Sequence, residues 1–266
     1  SGNALTFAFT TFDVNVTYAA NLATHAATNV ENFIGGQGND RFEFRDFVSV
    51  VGFLDGWTGT DTFICVNCEK ARRYVLTALG AQDGFRGTEQ ASFAYFTDME
   101  KLIGSRDIDS LTGLDGVSST WRINSTAANR HIFNTYECDT CLGRLLSFGT
   151  DGSEPLTAIE NLVGGTGNDN YIFSDGGTLP PVNSSIDGRT GINSLDYIAY
   201  TTPVSVMLSY TLIIANVIPA PPFLFTGASD GAAGIINVTG SRTAANAIYG
   251  NDLDNILIGG LANDII

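Results

Sequence analysis

Asn29-Val-Glu-Asn-Phe-Ile-Gly-Gly-Gln-Gly-Asn-Asp-Arg-Phe-Glu-Phe44 aligns without a gap on Ala158-Ile-Glu-Asn-Leu-Val-Gly-Gly-Thr-Gly-Asn-Asp-Asn-Tyr-Ile-Phe173, at an offset of 129 residues. In both stretches a Glu-Asn pair and two apolar residues enter a glycine turn, and an aromatic residue follows two places after the closing aspartate. Self-similarity at this level is read first, because a repeat dictates what can pack on what. The match resumes with Leu54-Asp-Gly-Trp-Thr-Gly-Thr-Asp-Thr-Phe63 over Ile186-Asp-Gly-Arg-Thr-Gly-Ile-Asn-Ser-Leu195. A worn copy runs Met99-Glu-Lys-Leu-Ile-Gly-Ser-Arg-Asp-Ile-Asp-Ser-Leu111, and another begins at Ile235-Ile-Asn-Val-Thr-Gly240. Asn3-Ala-Leu-Thr-Phe7 repeats Asn193-Ser-Leu-Asp-Tyr197, and the last residues step by nine through Asn246, Asn255 and Asp264. The sequence is therefore expected to begin and end inside a repeat, as a slice of a longer array.

The apolar residue two places after each Asp or Asn marks an inward strand position: Leu5, Phe42, Phe63, Leu111, Tyr171, Leu195, Ile248, Leu257 and Ile266. Glycines ahead of it permit the positive-φ turn between short strands, and the flanking Thr, Val, Ile and Phe suit a pleated, half-buried surface. One coil cannot bury its own apolar face, so coils stack about 4.8 Å apart around a continuous core. The fold class expected is all-β, a right-handed parallel β-solenoid of the β-helix or β-roll kind. Residues 1–240 are read as a degenerate β-helix and 241–266 as contiguous nonapeptide coils continuous with it. Asn32, Asn161 and Asn237 share one register and are expected to form side-chain hydrogen bonds to neighbouring coils.

Gly35-Gly36-Gln37-Gly38-Asn39-Asp40, Gly164-Gly165-Thr166-Gly167-Asn168-Asp169 and Gly259-Gly260-Leu261-Ala262-Asn263-Asp264 resemble the nonapeptide of the repeats-in-toxin family. Ala262 replaces a glycine of that pattern, as do Trp57 and Arg189 in the loop copies. The resemblance implies a protein secreted from a bacterium, a parallel β-roll, and calcium. Calcium takes about six to eight oxygens, which two successive glycine turns supply as carbonyls and aspartate side chains. The candidate ligands are Asp264 with Asn255, Asp252 and Asp254, and then Asp40 and Asp169. For Asp40 and Asp169 the competing role is a hydrogen bond within the turn.

Formal charge is −15, from 28 Asp+Glu against 13 Lys+Arg, with no basic cluster to neutralise phosphates, so nucleic acid is excluded as a partner. Tyr197 to Ser229 is uncharged, but Pro203, Pro219, Pro221 and Pro222 break it and Val204 to Leu208 alternates like a strand, so no membrane span is expected. Cys65-Val-Asn-Cys68 and Cys138-Asp-Thr-Cys141 are each expected to close a small disulfide loop in an oxidising compartment. A shared four-thiolate zinc site would have to bridge about three coils, on the order of 14 Å. Gly227-Ala-Ser-Asp-Gly231 matches a nucleophile elbow, but the two histidines, His25 and His131, both precede it, against the order such hydrolases use. Asn15, Asn124 and Asn183 head N-x-S/T sequons and are candidate glycosylation sites.

The expected function is non-enzymatic: a structural module of an extracellular filament, sheath, surface layer or adhesin at the cell surface. The alternative is a calcium-dependent secretion and folding module of a larger exported enzyme or toxin. The stretch after Val206 is about fifteen residues longer than its counterpart after Val16 and strongly apolar. Excess length in a coil must loop outward. Ile213, Ile214, Ile218, Phe223 and Phe225 are therefore expected at a contact with a neighbouring copy.

Overall fold

A computed structural model describes residues 4–9, 14–18, 24–27, 31–46, 48–90, 93–124, 132–150, 158–179, 184–208 and 232–266. Every regular element among them is a β-strand. The chain packs as two compact units, Ser1–Thr112 with Cys141–Ile159, and Gly113–Thr140 with Glu160–Ile266. Each unit holds the glycine turn of one copy of the gapless repeat, and the C-terminal nonapeptide stretch falls within the second.

In the first unit Phe33–Gly36 leads through its glycine turn to Arg41–Phe44, and Phe53–Trp57 leads through another to Thr62–Cys65. Phe33–Gly36, Phe53–Trp57 and Tyr95–Met99 pair in parallel in one sheet. Leu5–Phe9, Arg41–Phe44, Thr62–Cys65, Lys101–Ile103 and Leu146–Thr150 pair in parallel in the other. Successive strands thus visit two sheets alternately. The second unit repeats the scheme, with Asn161–Val163, Ser185–Asp187 and Ala232–Ala233 in one parallel run. Its other run is Ser119–Ile123, Asp169–Phe173, Ser194–Asp196, Asn237–Thr239 and Leu257–Ile258.

The pairing is not wholly parallel, which corrects the sequence expectation. Leu5–Phe9, Val14–Tyr18 and Thr24–Ala27 form an antiparallel meander. Arg73–Leu79 and Phe85–Glu89 form a second with Tyr95–Met99, and Ser119–Ile123 pairs antiparallel with Ile132–Cys138. Antiparallel neighbours need only a tight turn, whereas a parallel return needs a crossover. The short loop at Gly80–Gly84 favours the hairpin, with Gly84 at φ +49°.

Phe42, Phe63, Leu111, Tyr171, Leu195 and Ile248 are fully buried, as their register requires. Leu5 and Leu257 are only half-buried and Ile266 is 62% exposed. Leu257 lies on a strand with a neighbour on one side only, which leaves its inward face part-covered, whereas the strand of Leu5 has a neighbour on each side. Rings in register lie over one another: Phe7 on Phe42 at 4.8 Å between centroids, and Phe173 on Tyr197 at 4.6 Å. These separations match the spacing of hydrogen-bonded strands.

The glycine turns are tight for a specific reason. Gly59 and Gly191 occupy the same motif position at φ +146° and +111°, and a Cβ there would strike the carbonyls of Gly38 and Gly167 on the adjacent turn. Trp57 and Arg189, which replace motif glycines, adopt the left-handed conformation at φ 72° and 53°, whereas the glycines at that position, Gly36, Gly165 and Gly260, do not. Side-chain bonds support it: Trp57 N–H donates to Asp55 Oδ1 at 2.9 Å and Arg189 N–H to Asp187 Oδ1 at 2.8 Å.

Candidate functional site

Several residues that close glycine turns, and Glu100 outside them, accept a backbone N–H from an adjacent part of the chain, whereas Asp169 and Asn255 accept one from within their own turn. Leu5 N–H donates to Asp40 Oδ1 at 2.6 Å, Asp40 N–H to Asp61 Oδ1 at 2.7 Å, and Asp61 N–H to Glu100 Oε2 at 2.6 Å. Arg72 N–H donates to Asp109 Oδ1 at 2.5 Å, Asp169 N–H to Asn193 Oδ1 at 2.8 Å and Asn246 N–H to Asp264 Oδ1 at 2.7 Å. A second ladder runs one residue earlier, with Thr60 N–H on Asn39 Oδ1 and Ile192 N–H on Asn168 Oδ1. Asn32, Asn161 and Asn237 each accept a hydrogen bond from a neighbouring strand or loop, at exposed or half-buried positions and not as a ladder of asparagines inside the fold. Asn32 accepts from Phe53 N–H, Asn161 from Ser185 Oγ–H, and Asn237 from Ile256 N–H.

In the first unit this ladder converges on other acids. One carboxylate oxygen from each of Asp61, Asp83 and Glu100 lies within 4.8 Å of the others. Asp61 is fully buried. In each of the three, one oxygen takes a backbone N–H: Asp61 Oδ1 from Asp40, Asp83 Oδ2 from Gly59 at 3.2 Å, and Glu100 Oε2 from Asp61. The other oxygens, Asp61 Oδ2, Asp83 Oδ1 and Glu100 Oε1, are buried with no hydrogen-bond partner. Glycine lets them approach so closely, since a Cβ on Gly56 would strike Asp61 Oδ2 and one on Gly84 would strike Glu100 Oε1.

Burial first, and then the nearby acids Asp40, Asp83 and Asp55, push the Asp61 carboxyl up to about 8 against the lowering effect of the Asp40 N–H. Glu100 is pushed up to about 9 by burial first and then by Asp61 and Asp83. Burial also raises Asp40, and it raises Asp55, where Asp98 and Asp83 add to the effect. The loop carrying Asp83 is fixed from two sides. Buried Asp98 accepts Gln82 N–H at 2.6 Å and Asp83 N–H at 3.0 Å, while Arg144 donates to the carbonyls of Gly80, Gln82, Asp83 and Gly84.

The acids expected to hold calcium are dispersed. Asp169 is buried and uses both oxygens, accepting Trp121 Nε1–H at 3.1 Å and Gly165 N–H at 3.0 Å, the in-turn role weighed against calcium above. Asp40 is buried next to Asp61, and its Oδ2 has no hydrogen-bond partner. Asp264 Oδ1 accepts both the backbone N–H and the side-chain Nδ2 of Asn246. Asn255 donates to Ile236 O and Asn251 Oδ1, and Asp252 and Asp254 are exposed. Among the described residues these C-terminal acids form no carboxylate group tight enough to share an ion.

Cys65 and Cys68 are joined to each other, and Cys138 and Cys141 are also disulfide-bonded. Asp46 lies beside the first pair, but the bridge removes its thiolates as metal ligands. No helix among the described residues is long and apolar enough to cross a membrane. Ile213, Ile214, Ile218, Phe223, Phe225 and Asn183 lie outside the described residues. Asn15 sits in the strand Val14–Tyr18, and Asn124 Nδ2 donates to Phe133 O at 2.7 Å. Compared with known proteins, the chain matches no family model, no curated protein and no solved structure.

Sequence reading expected hydrogen bonds from Asn32, Asn161 and Asn237 and calcium or in-turn bonds at Asp40 and Asp169, and it missed the bonds between turns at Asp40 and Asp61 and the parts played by Asp83 and Glu100. Asp83 belongs to a hairpin loop that has no counterpart in the repeat. Glu100 lies in the worn copy, and nothing in its local sequence distinguishes it from a surface acid.

Proposed function

We propose that this chain is a structural module of an extracellular assembly, a β-solenoid of repeats-in-toxin type that works by stacking coil on coil. The observation that carries the reading is a partial ladder, in which Asp40, Asp61, Asn193 and Asp264 at glycine turns, with Glu100 beside them, each accept a backbone N–H from a neighbouring part of the chain. A coil so built leaves hydrogen-bonding groups and apolar surface unmatched until a neighbour arrives. At the last strands this leaves Ile256, Ile258, Leu261, Ile265 and Ile266 between 51% and 78% exposed. The occupant proposed for that end is a neighbouring copy of the same array, because its coils carry the matching register and 4.8 Å spacing. Paired cysteines suit an oxidising extracellular compartment. Lateral contact through the apolar stretch around Ile214 and Phe223 is the second part of the proposal.

Electron microscopy and light scattering of the purified chain test this. Concentration-dependent head-to-tail species are expected, and Ile258→Asp with Leu261→Asp should abolish them while leaving the circular dichroism unchanged. A chain that stays monomeric at high concentration, or assembly that survives both changes, overturns the reading.

A further inference from the structure

We propose that Asp61, Asp83 and Glu100 bind one hard divalent cation of the calcium class, tying the glycine turn that ends at Asp61 to the Gly80–Gly84 loop. The site is separate from the nonapeptide ligands expected in the sequence, since Asp83 and Glu100 lie outside the glycine motif, and it does not depend on the assembly reading.

The geometry points to a cation rather than to hydrogen bonding alone. Each of the three carboxylates already has one oxygen anchored by a backbone N–H, so the side chains are held in place by donors that cannot move. Asp61 Oδ2 is buried and unpartnered, and the second oxygens of Asp83 and Glu100 have only each other's carboxyl to meet, an arrangement that costs free energy in the ionised state unless something positive meets them. Oxygens bound to one calcium at about 2.3–2.6 Å stand at most about 5 Å apart, which accommodates the 4.8 Å limit of this group. Magnesium at about 2.0–2.1 Å demands closer, octahedral oxygens. The donor set is oxygen alone, which excludes a preference for soft metals. Arg144, the cation bonded to this loop, spends its guanidinium on the carbonyls of residues 80, 82, 83 and 84.

The chain, stripped with chelator and exchanged into metal-free buffer at pH 7.5, is titrated with calcium chloride by calorimetry and followed by thermal melting. One calcium per chain is expected at this site, with a rise in melting temperature of several degrees. Asp83→Asn with Glu100→Gln should weaken binding by at least about tenfold and remove the rise, whereas Asp252→Asn, Asp254→Asn and Asp264→Asn together should leave both. Should the double variant fail to fold, Asp83→Asn alone, a change confined to the Gly80–Gly84 loop, is titrated in its place and should weaken binding and reduce the rise in the same direction. No heat and no stabilisation, binding that survives these variants, loss only in the C-terminal triple variant, or an equal response to magnesium would each overturn the proposal.

Discussion

Replacing Phe42 by Ala probes whether coil stacking holds the first unit together. The ring is fully buried, lies parallel to Phe7 with centroids 4.8 Å apart and 4° between planes, and pairs in register with Phe7 on one side and Phe63 on the other. Removing a buried Phe costs about 3–5 kcal/mol, and the upper half of that range is expected because two neighbouring strands hold the cavity walls apart. The lost ring pair is worth about 0.5–1.5 kcal/mol of this total. At about 2–4 °C per kcal/mol for a chain of this size, the melting temperature should fall by roughly 8–20 °C. Urea denaturation followed by fluorescence reports it, with Phe42→Leu as the control that keeps most of the volume and should cost about 1 kcal/mol. Loss of less than about 1 kcal/mol in Phe42→Ala would mean that the stack of rings does not carry the unit, and the repeat register would lose its energetic meaning.

Asp169→Ala leaves Trp121 Nε1–H and Gly165 N–H without their acceptor, so a loss of about 2–4 kcal/mol is expected by urea denaturation, with Asp169→Asn intermediate. Trp57→Gly removes a left-handed cost of about 1–2 kcal/mol, partly offset by chain entropy, so a slightly raised melting temperature is expected; a clear fall would show that the exposed ring packs usefully. In chelator, Asp61 and Glu100 hold protons in the folded state up to pH about 8 and 9 that the unfolded chain releases above about 4, so their contribution is full below pH 4 and is lost as pH rises through 8 to 9. Melting temperature in chelator should therefore fall between pH 6 and 9, and Asp61→Asn with Glu100→Gln should flatten the slope; a melting temperature that rises with pH would contradict the burial of this pair.

Legibility in the sequence followed the repeat. The inward positions Phe42, Phe63, Tyr171 and Leu195 are readable because each falls two places after a turn-closing Asp or Asn, and that spacing fixes which face of the strand it occupies. The pairing of Cys65 with Cys68 is readable because the two stand three residues apart, Cys65 at the end of a strand and Cys68 just beyond it, so each can reach the other without a second segment. What the repeat does not contain could not be read from it. The hairpins at 73–89 and 119–138 are departures from the repeat, and their antiparallel direction is set by turn length, not by the nonapeptide. Leu257 has the right register but lacks a strand on one side, a matter of neighbours that periodicity does not encode.

The carboxylate group shows the same division in its energetics. In the second unit the turn-closing position after Asp169 is Asn193, whose neutral amide donates to Gly188 O and Gly234 O as well as accepting Asp169 N–H. In the first unit the corresponding residue is Asp61, and the hairpin brings Asp83 against it. An ionised carboxylate cannot donate, so in that form Asp61 Oδ2 has no partner, and the second unit meets with one amide what the first leaves open. Asp61→Asn therefore separates the two roles of this position. It should preserve the acceptor for Asp40 N–H, supply donors to the turn carbonyls, and stabilise the chelated chain at pH 8 by on the order of 1–3 kcal/mol, while it removes the response to calcium. If the variant is instead destabilised in chelator, the carboxyl form of Asp61 is making a bond that the amide cannot replace, and the kinship between the two turns ends at the backbone.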